Sequence, residues 1–407
     1  MKIRPFALAA LSSALACQLT AAEPSVAAYK KLTLSTEFFS EGAAFGDFNN
    51  DGQLDAVSGP YWYEGPDFTK RHELFAPIAF DPLKYSDNFI AFAHDFNADG
   101  WTDVLVLGFP GVDASWYQNP GPKGGPWRRY VALLPVDNES PTFGQLLAKG
   151  PPSIVCMSGG RLGYATPDPK DPARPWAFHA VSPVVPAWQR FTHGLGFGDV
   201  NGDGRNDILE KDGWWEQPAS LAGDPVWKLH KFPFSAKGGA QMHVMDVNGD
   251  GLPDVITSKA AHLYGLSWFE QVRATDGGEN TFKEHVILSE TPEEKIGGVQ
   301  FAQLHAVVLA DVDGDGLLDI VTGKRWWAHG PTGDADPAGA PVLYAFLLRR
   351  GPNHTATYEP RLLDDTTGVG TQIVTADVNG DGRPDFLVGN KRGTAVLLSQ
   401  PSVAGKK

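Results

Sequence analysis

Aspartate recurs in this sequence at a spacing that suits a hard cation. Six nonamers, opening at Asp47, Asp95, Asp199, Asp246, Asp311 and Asp377, put side-chain oxygens at positions 1, 3, 5 and 9 and glycine at position 6. The ligand sets are Asp47, Asn49, Asp51 and Asp55; Asp95, Asn97, Asp99 and Asp103; Asp199, Asn201, Asp203 and Asp207; Asp246, Asn248, Asp250 and Asp254; Asp311, Asp313, Asp315 and Asp319; and Asp377, Asn379, Asp381 and Asp385. Oxygen donors wrapped round a tight glycine turn resemble the first half of an EF-hand loop. The repetition predicts structural Ca2+. The competing account is a set of Asx-turns closed by the same side chains without an ion. These loops hold 19 of the 48 acidic residues, so six divalent cations would bring the formal charge of −14 to about −2. The acidity then belongs to the loops rather than to a partner-binding field, and nucleic acid is disfavoured as a partner.

Each loop is flanked by short apolar runs, such as "AVVLA" before Asp311 and "DIVTG" from Asp319, which read as buried strands a and b joined through the acidic turn. A second repeat opens on an aromatic residue: Tyr29, Phe68, Trp127, Trp176, Trp227, Phe282 and Tyr358 each begin a half-exposed run, most with Arg or His at the fourth place. These seven runs read as outer strands d. Seven outer strands face six loops, and the interval from Asp95 to Asp199 is 104 residues against 48 between the first two loops. The stretch from Thr142 to Tyr164 fits there as a set whose loop has lost its ligands. The first outer strand precedes any inner strand, while the last inner set, from Thr371, has no outer strand after it. The fold class expected is therefore all-β, a seven-bladed β-propeller whose N-terminal outer strand closes the last blade, with calcium loops in six blades.

That fold sorts the remaining residues. Inner strands start, and b–c connections lie, on the face opposite the acidic turns. His193, His243 and His305 head successive inner strands; three inward imidazoles can hold Zn2+, Mn2+ or Mg2+ with open positions, or serve as acid and base. Equally, they can be hydrogen-bonded fillers of a narrow channel. His243, His305 and Lys324 are the expected catalytic residues, with His193 as a third ligand of a central metal. Lys211, Trp214, Lys259, His262, Arg325, Trp326, His329, Gln372 and Lys391 share the same face and are expected to bind substrate. Indoles there would stack on sugar faces, and the cations would suit an anionic or carbonyl-bearing ligand. Of the adjacent tryptophan pairs, one ring each should pack between blades. His72, His179, His230 and His285 fall on outer strands as cross-strand partners.

In its loops the chain resembles the FG-GAP/VCBS repeat proteins, the class that includes integrin α-subunit propellers. The resemblance implies a calcium-bearing propeller and leaves function open, because the class holds adhesins, lectin-like proteins and enzymes. The whole-propeller layout with its histidine-lined mouth also looks like the propeller of fungal aldos-2-ulose dehydratases, metal-dependent lyases of anhydrofructose and osones. No cupin portion follows here, so the isomerase step of those enzymes is not carried over. What the resemblance implies is a lyase or dehydratase that removes a proton next to the carbonyl of a keto-sugar or oxidised glycoside; the alternative is a non-catalytic carbohydrate-binding or adhesion propeller.

The ends complete the reading. Residues 1–22 carry Lys2 and Arg4, an apolar run from Phe6 to Ala16 and small residues before Glu23, the layout of a secretory signal peptide. Ala14 and Leu15 fit a lipoprotein box at Cys17 poorly, so a secreted or periplasmic chain is expected rather than a lipid-anchored one. With that leader removed only Cys156 remains, which excludes an internal disulfide. No later stretch is apolar for long enough to cross a bilayer. The propeller is expected over 23–400, with 401–407 as a disordered tail.

Overall fold

The computed structural model describes residues 28–275 and 278–400. The expected signal peptide and the expected tail lie outside them. Seven four-stranded antiparallel sheets follow one another along the chain. Six are built from consecutive strands. In the seventh, Ala28–Ser35 pairs with Gly393–Gln400, so the N-terminal outer strand closes the ring as its order in the sequence requires. Blades 1 to 6 have inner strands Ala44–Gly46, Ile90–His94, Thr142–Gly144, Leu195–Gly198, His243–Met245 and Val307–Ala310, and blade 7 has Val374–Ala376. Among the described residues there is no α-helix, and no helix long and apolar enough to cross a membrane.

Apolar clusters form between neighbouring blades. Leu105 and Trp116 of blade 2 pack with Ile154 and Ala165 of blade 3, all at most 1% exposed. Toward the axis there is no room for side chains on every residue. A Cβ on Gly196 would meet Met242 O at 2.0 Å, which is why the inner strand there reads Leu-Gly-Phe-Gly. On the outer edge a histidine of strand d lies flat on an indole of strand c: His72 on Trp62 at 4.1 Å, His230 on Trp214 at 4.0 Å and His285 on Trp268 at 4.2 Å. A glutamate of strand c, or the residue just after it, caps each imidazole at 2.7 Å.

The ninth residue of each acidic turn does something the ligand pattern alone did not foresee. Asp55, Asp103, Asp207, Asp254, Asp319 and Asp385 are all 0% exposed. One oxygen of each accepts the amide of the turn's second residue and the other accepts an amide in strand c or just after it. In blade 5 these are Val247 N at 2.9 Å and Gln271 N at 2.8 Å. The carboxylate thus ties the a–b turn to the third strand. The other side chains form the expected Asx-type bonds: Asp246 accepts from Gly249, Asp250 and Gly251, and Asn248 from Asp250. A carboxylate oxygen has a second lone pair, so these bonds leave room for an ion. The turn of blade 6, with its extra Asp313, has a resident cation: Arg349 reaches Asp313 at 2.6 Å and Asp315 at 2.9 Å.

Blade 3 keeps the length of the turn without its acids. Gly144 pairs with Ser153, which stands where the other blades have the ninth aspartate, and Gly150 keeps φ at +98°. Gln145, in the first place, closes the turn itself by donating Nε2 to Leu147 O and Gly150 O. Cys156 is buried in the adjoining strand, where burial pushes its thiol far above the ordinary range and leaves it unreactive.

Replacing Asp254 with alanine strands two buried amides, each costing about 1–3 kcal/mol. Asp254→Ala should therefore lower the unfolding free energy by about 2–5 kcal/mol in urea titrations containing a chelator. Asp250→Ala loses the Leu252 amide and a long contact from Asn248 Nδ2 at 3.5 Å, neither fully buried, and should cost about 1 kcal/mol or less under the same conditions. Equal losses would show that the ninth carboxylate is not a separate staple.

Candidate functional site

An inner strand begins at the mouth of the ring and ends at its acidic turn, so residues just before each inner strand gather round the axis. The approach to blade 3 brings Glu139, that to blade 4 His193, and that to blade 6 His305. The b–c connections bring His262 from blade 5, and Arg325, His329 and Asp334 from blade 6. One donor atom from each of Glu139, His193, His262 and His305 lies within 4.8 Å of the others. The rings of His262 stand 4.9 Å from His193 and 4.5 Å from His305. A cavity of about 330 Å3 opens over them, with Tyr85, Phe109 and Phe191 as its aromatic wall. Phe191 sits at φ +60°, a strained backbone for an aromatic residue, and remains 44% exposed.

Beneath the imidazoles lies a buried ion pair. Arg325 and Glu41 are 1% and 0% exposed, and the guanidinium donates Nε to Oε1 and Nη2 to Oε2, each at 2.8 Å. Its Nη1 donates to His305 Nε2 at 3.0 Å. A guanidinium can only donate, so this contact fixes the tautomer: Nε2 of His305 accepts and Nδ1 carries the proton. That Nδ1 is buried without a partner. Burial and the Arg325 charge hold the His305 pKa well below the ordinary range, and burial lowers that of His262. Both shifts favour the uncharged ring. Burial raises the Glu139 carboxyl, but the nearby His193 and Arg325 outweigh it and leave it below its ordinary value.

Asp334 joins two imidazoles. It accepts the amide and Nδ1 of His329 at 2.8 and 2.7 Å and stands 3.3 Å from His262 Nδ1. Burial raises its carboxyl, yet these histidine contacts prevail and hold it well below the carboxylate range. His329 is thereby oriented with its other nitrogen free, its side chain 49% exposed and its ring lining the cavity.

The expected residues divide accordingly. His193, His262, His305, Arg325 and His329 come together. His243 does not join them: its Nε2 lies 3.0 Å from Val307 O, and burial lowers its pKa, as suits a channel filler. Lys324 is 1% exposed with Nζ unpartnered, outside the residues lining the cavity. Trp214 faces outward onto His230, leaving Trp215 as the member of the pair on the mouth side. Lys259 also turns outward, to Glu284 at 2.7 Å. Gln372 fills the axis, accepting the amides of Ala43 and Ala91. Trp326 lies under Arg392 at 4.2 Å. Lys391 supports the cavity wall from behind, with Nζ 3.2 Å from Ala328 O and 4.8 Å from the Tyr85 ring; burial lowers its pKa to about 8. Lys211 borders a neighbouring cleft.

Glu139 and Asp334 were not among the sequence candidates. Asp334 lies outside the repeat, five residues after His329, but Glu139 stands six residues before Gln145, the first place of the blade 3 turn, the same spacing as His193 before Asp199 and His305 before Asp311. Two or three imidazoles with one carboxylate suit a transition metal such as Zn2+ or Mn2+, and not Mg2+, which takes oxygen ligands. His193 Nε2 is buried, without a hydrogen bond, and 3.2 Å from Glu139 Oε2. Glu139, His193 and His262 could hold an ion as they stand; His305 could join only by releasing Arg325.

The FG-GAP repeat family model matches residues 369–405, and the FG-GAP-like repeat model matches 246–322. The chain thus carries FG-GAP repeats in a seven-bladed propeller. No curated protein matches its sequence. Similar solved structures include an Agrocybe aegerita lectin described as recognising non-reducing terminal N-acetylglucosamine, at 14% identity and TM-score 0.44, covering 83% of this chain and 81% of that one. The V. cholerae biofilm matrix protein Bap1 is similar at 9% identity and TM-score 0.43, covering 92% of each chain. The rhamnogalacturonan lyase YesW is similar at 14% identity and TM-score 0.44, covering 91% of this chain and 72% of that one.

Removing one member of the buried pair leaves an uncompensated charge. Glu41→Gln should cost about 3–5 kcal/mol in urea unfolding, and adding Arg325→Met should restore most of that stability. A double variant as unstable as Glu41→Gln would mean the pair is not the source of the loss.

Proposed function

We propose that the chain is an exported, metal-dependent lyase that removes a proton next to the carbonyl of a keto-sugar or oxidised glycoside and expels water or an alkoxide. The observation that carries this reading is the convergence of Glu139, His193, His262 and His305 on one point at the base of an open cavity. Glu139, His193 and His262 would hold Zn2+ or Mn2+, and a bound ion would polarise the carbonyl oxygen as a Lewis acid. His329 is the base. Asp334 accepts its Nδ1 proton, so in the uncharged form of the ring the Nε2 lone pair is the one left for the cavity. Taking the C–H proton there lets the C=C bond form as the β C–O bond breaks, and the protonated imidazole returns its proton to the leaving oxygen. The wall of Tyr85, Phe109 and Phe191 suits the apolar face of a sugar ring.

We further propose that the acidic turns bind Ca2+ as braces of the opposite face. Burial and the neighbouring aspartates raise the ninth carboxyl, to about 7 in Asp103 and Asp254, and a divalent cation beside it would offset that cost.

A second reading has its own support. His305 Nε2 is already satisfied by Arg325 without any ion. On that reading the same cavity is a carbohydrate-binding site with no turnover.

The two readings separate on incubation with 2-keto and 3-keto glucosides in the presence of Mn2+ or Zn2+. The lyase should give rising enone absorbance, slowed about 100-fold or more by His329→Ala and lost in His193→Ala/His262→Ala. A flat trace with both sugar classes, together with retained glycan binding, would leave the binding reading.

A further inference from the structure

A second, larger cleft adjoins the imidazole cavity. It measures about 620 Å3 and shares Phe191 and His193 with the first, so one ligand could occupy both. Trp188 and Trp215 line it, packed edge to face at 6.3 Å. Its lining carries four cations, Arg190, Lys211, Lys231 and Lys237, in a chain whose formal charge is −14.

Those charges are poorly matched from within. Lys211 pairs with Asp212. Arg190 gives Nε and Nη2 to Pro110 O, a neutral acceptor, and among the described residues Lys231 and Lys237 have no carboxylate partner. The other acid on the lining, Glu210, is 1% exposed and accepts the Asp212 amide; burial raises it to about 7. An aromatic wall beside unmatched cations describes a site for a ring that is apolar on one face and negatively charged at its edge.

We infer that this cleft is a subsite for an anionic sugar residue, linked to the residue that enters the imidazole cavity. This rests on the carbohydrate reading of that cavity and narrows it: the ligand is an acidic glycan of at least two residues. A uronate and a sulfated hexose offer the same chemistry to the lysines. Because Lys231, Lys237 and Arg190 are exposed, their attraction is screened by salt.

Titration calorimetry of the full chain with tetragalacturonate, neocarratetraose sulfate and neutral maltotetraose tests this. At least one acidic probe should bind about tenfold tighter than maltotetraose at low salt, with that preference shrinking at high salt. The stronger acidic probe identifies carboxylate or sulfate as the preferred group. Lys231→Gln/Lys237→Gln, two surface changes that should leave the fold intact, should weaken the acidic probe about tenfold and leave maltotetraose unchanged. No preference for either acidic probe, or an unchanged double variant, would overturn the subsite. The outcome is separable from the lyase proposal: acidic binding without enone formation retains the subsite and removes the lyase, whereas enone formation from neutral keto-sugars, with KM unaffected in the double variant, does the reverse.

Discussion

A buried carboxylate that accepts two backbone amides is the constraint on which this architecture depends. In six blades the ninth aspartate of the acidic turn holds that turn against the end of strand c, with no solvent contact. A strand pair linked only by its own ladder could pivot. Tying the turn to the third strand fixes the angle of the a–b–c unit, and with it the direction in which each b–c connection emerges on the opposite face. Blade 3 shows what remains without the tie. Ser153 is too short to reach both amides, and a glutamine closes the turn locally instead. The approach to that same blade brings Glu139 to the mouth.

At the other end of the inner strands the organising element is again a buried acid, now paired with a cation. Glu41 precedes blade 1 and Arg325 follows the second strand of blade 6, so their ion pair reaches past the closing blade. Arg325 also sets the tautomer of His305, while Asp334 orients His329. The imidazoles therefore differ in role through their neighbours: His243 is spent on a backbone carbonyl, His305 on a guanidinium, His193 keeps an unused nitrogen, and His329 faces the cavity.

Much of the fold was legible because repetition made it so. The strand order, the ring closure and the blade lacking acidic ligands follow from repeat spacing and from an outer strand that precedes any inner one. The ligand spacing of the acidic turns does not reveal that both oxygens of Asp254 accept backbone amides. The mouth was half legible. Knowing which connections converge was enough to gather His193, His262, His305, Arg325 and His329. It was not enough to orient Trp214, because which ring of an adjacent pair faces the mouth depends on register: Trp214 is opposite His230 and stacks on it. Nor did it find Asp334, which lies in an irregular segment where no period constrains direction, or Glu139, whose register six residues before Gln145 was hidden because that turn carries no acidic ligands. His243 stands three residues before its acidic turn, already inside its inner strand, whereas His193 and His305 stand six before theirs and ahead of the strand, so His243 meets Val307 O instead of joining them.

The acidic turns and the imidazoles lie on opposite faces of the ring, and the proposed roles, structural for one and chemical for the other, are separate. Anomalous scattering from crystals grown with Ca2+ and Zn2+, measured on both sides of the zinc edge, tests that separation directly. The separation predicts a zinc peak among Glu139, His193 and His262, with none in the acidic turns. Zinc confined to the acidic turns, or absent from the mouth at saturating concentration, would contradict it.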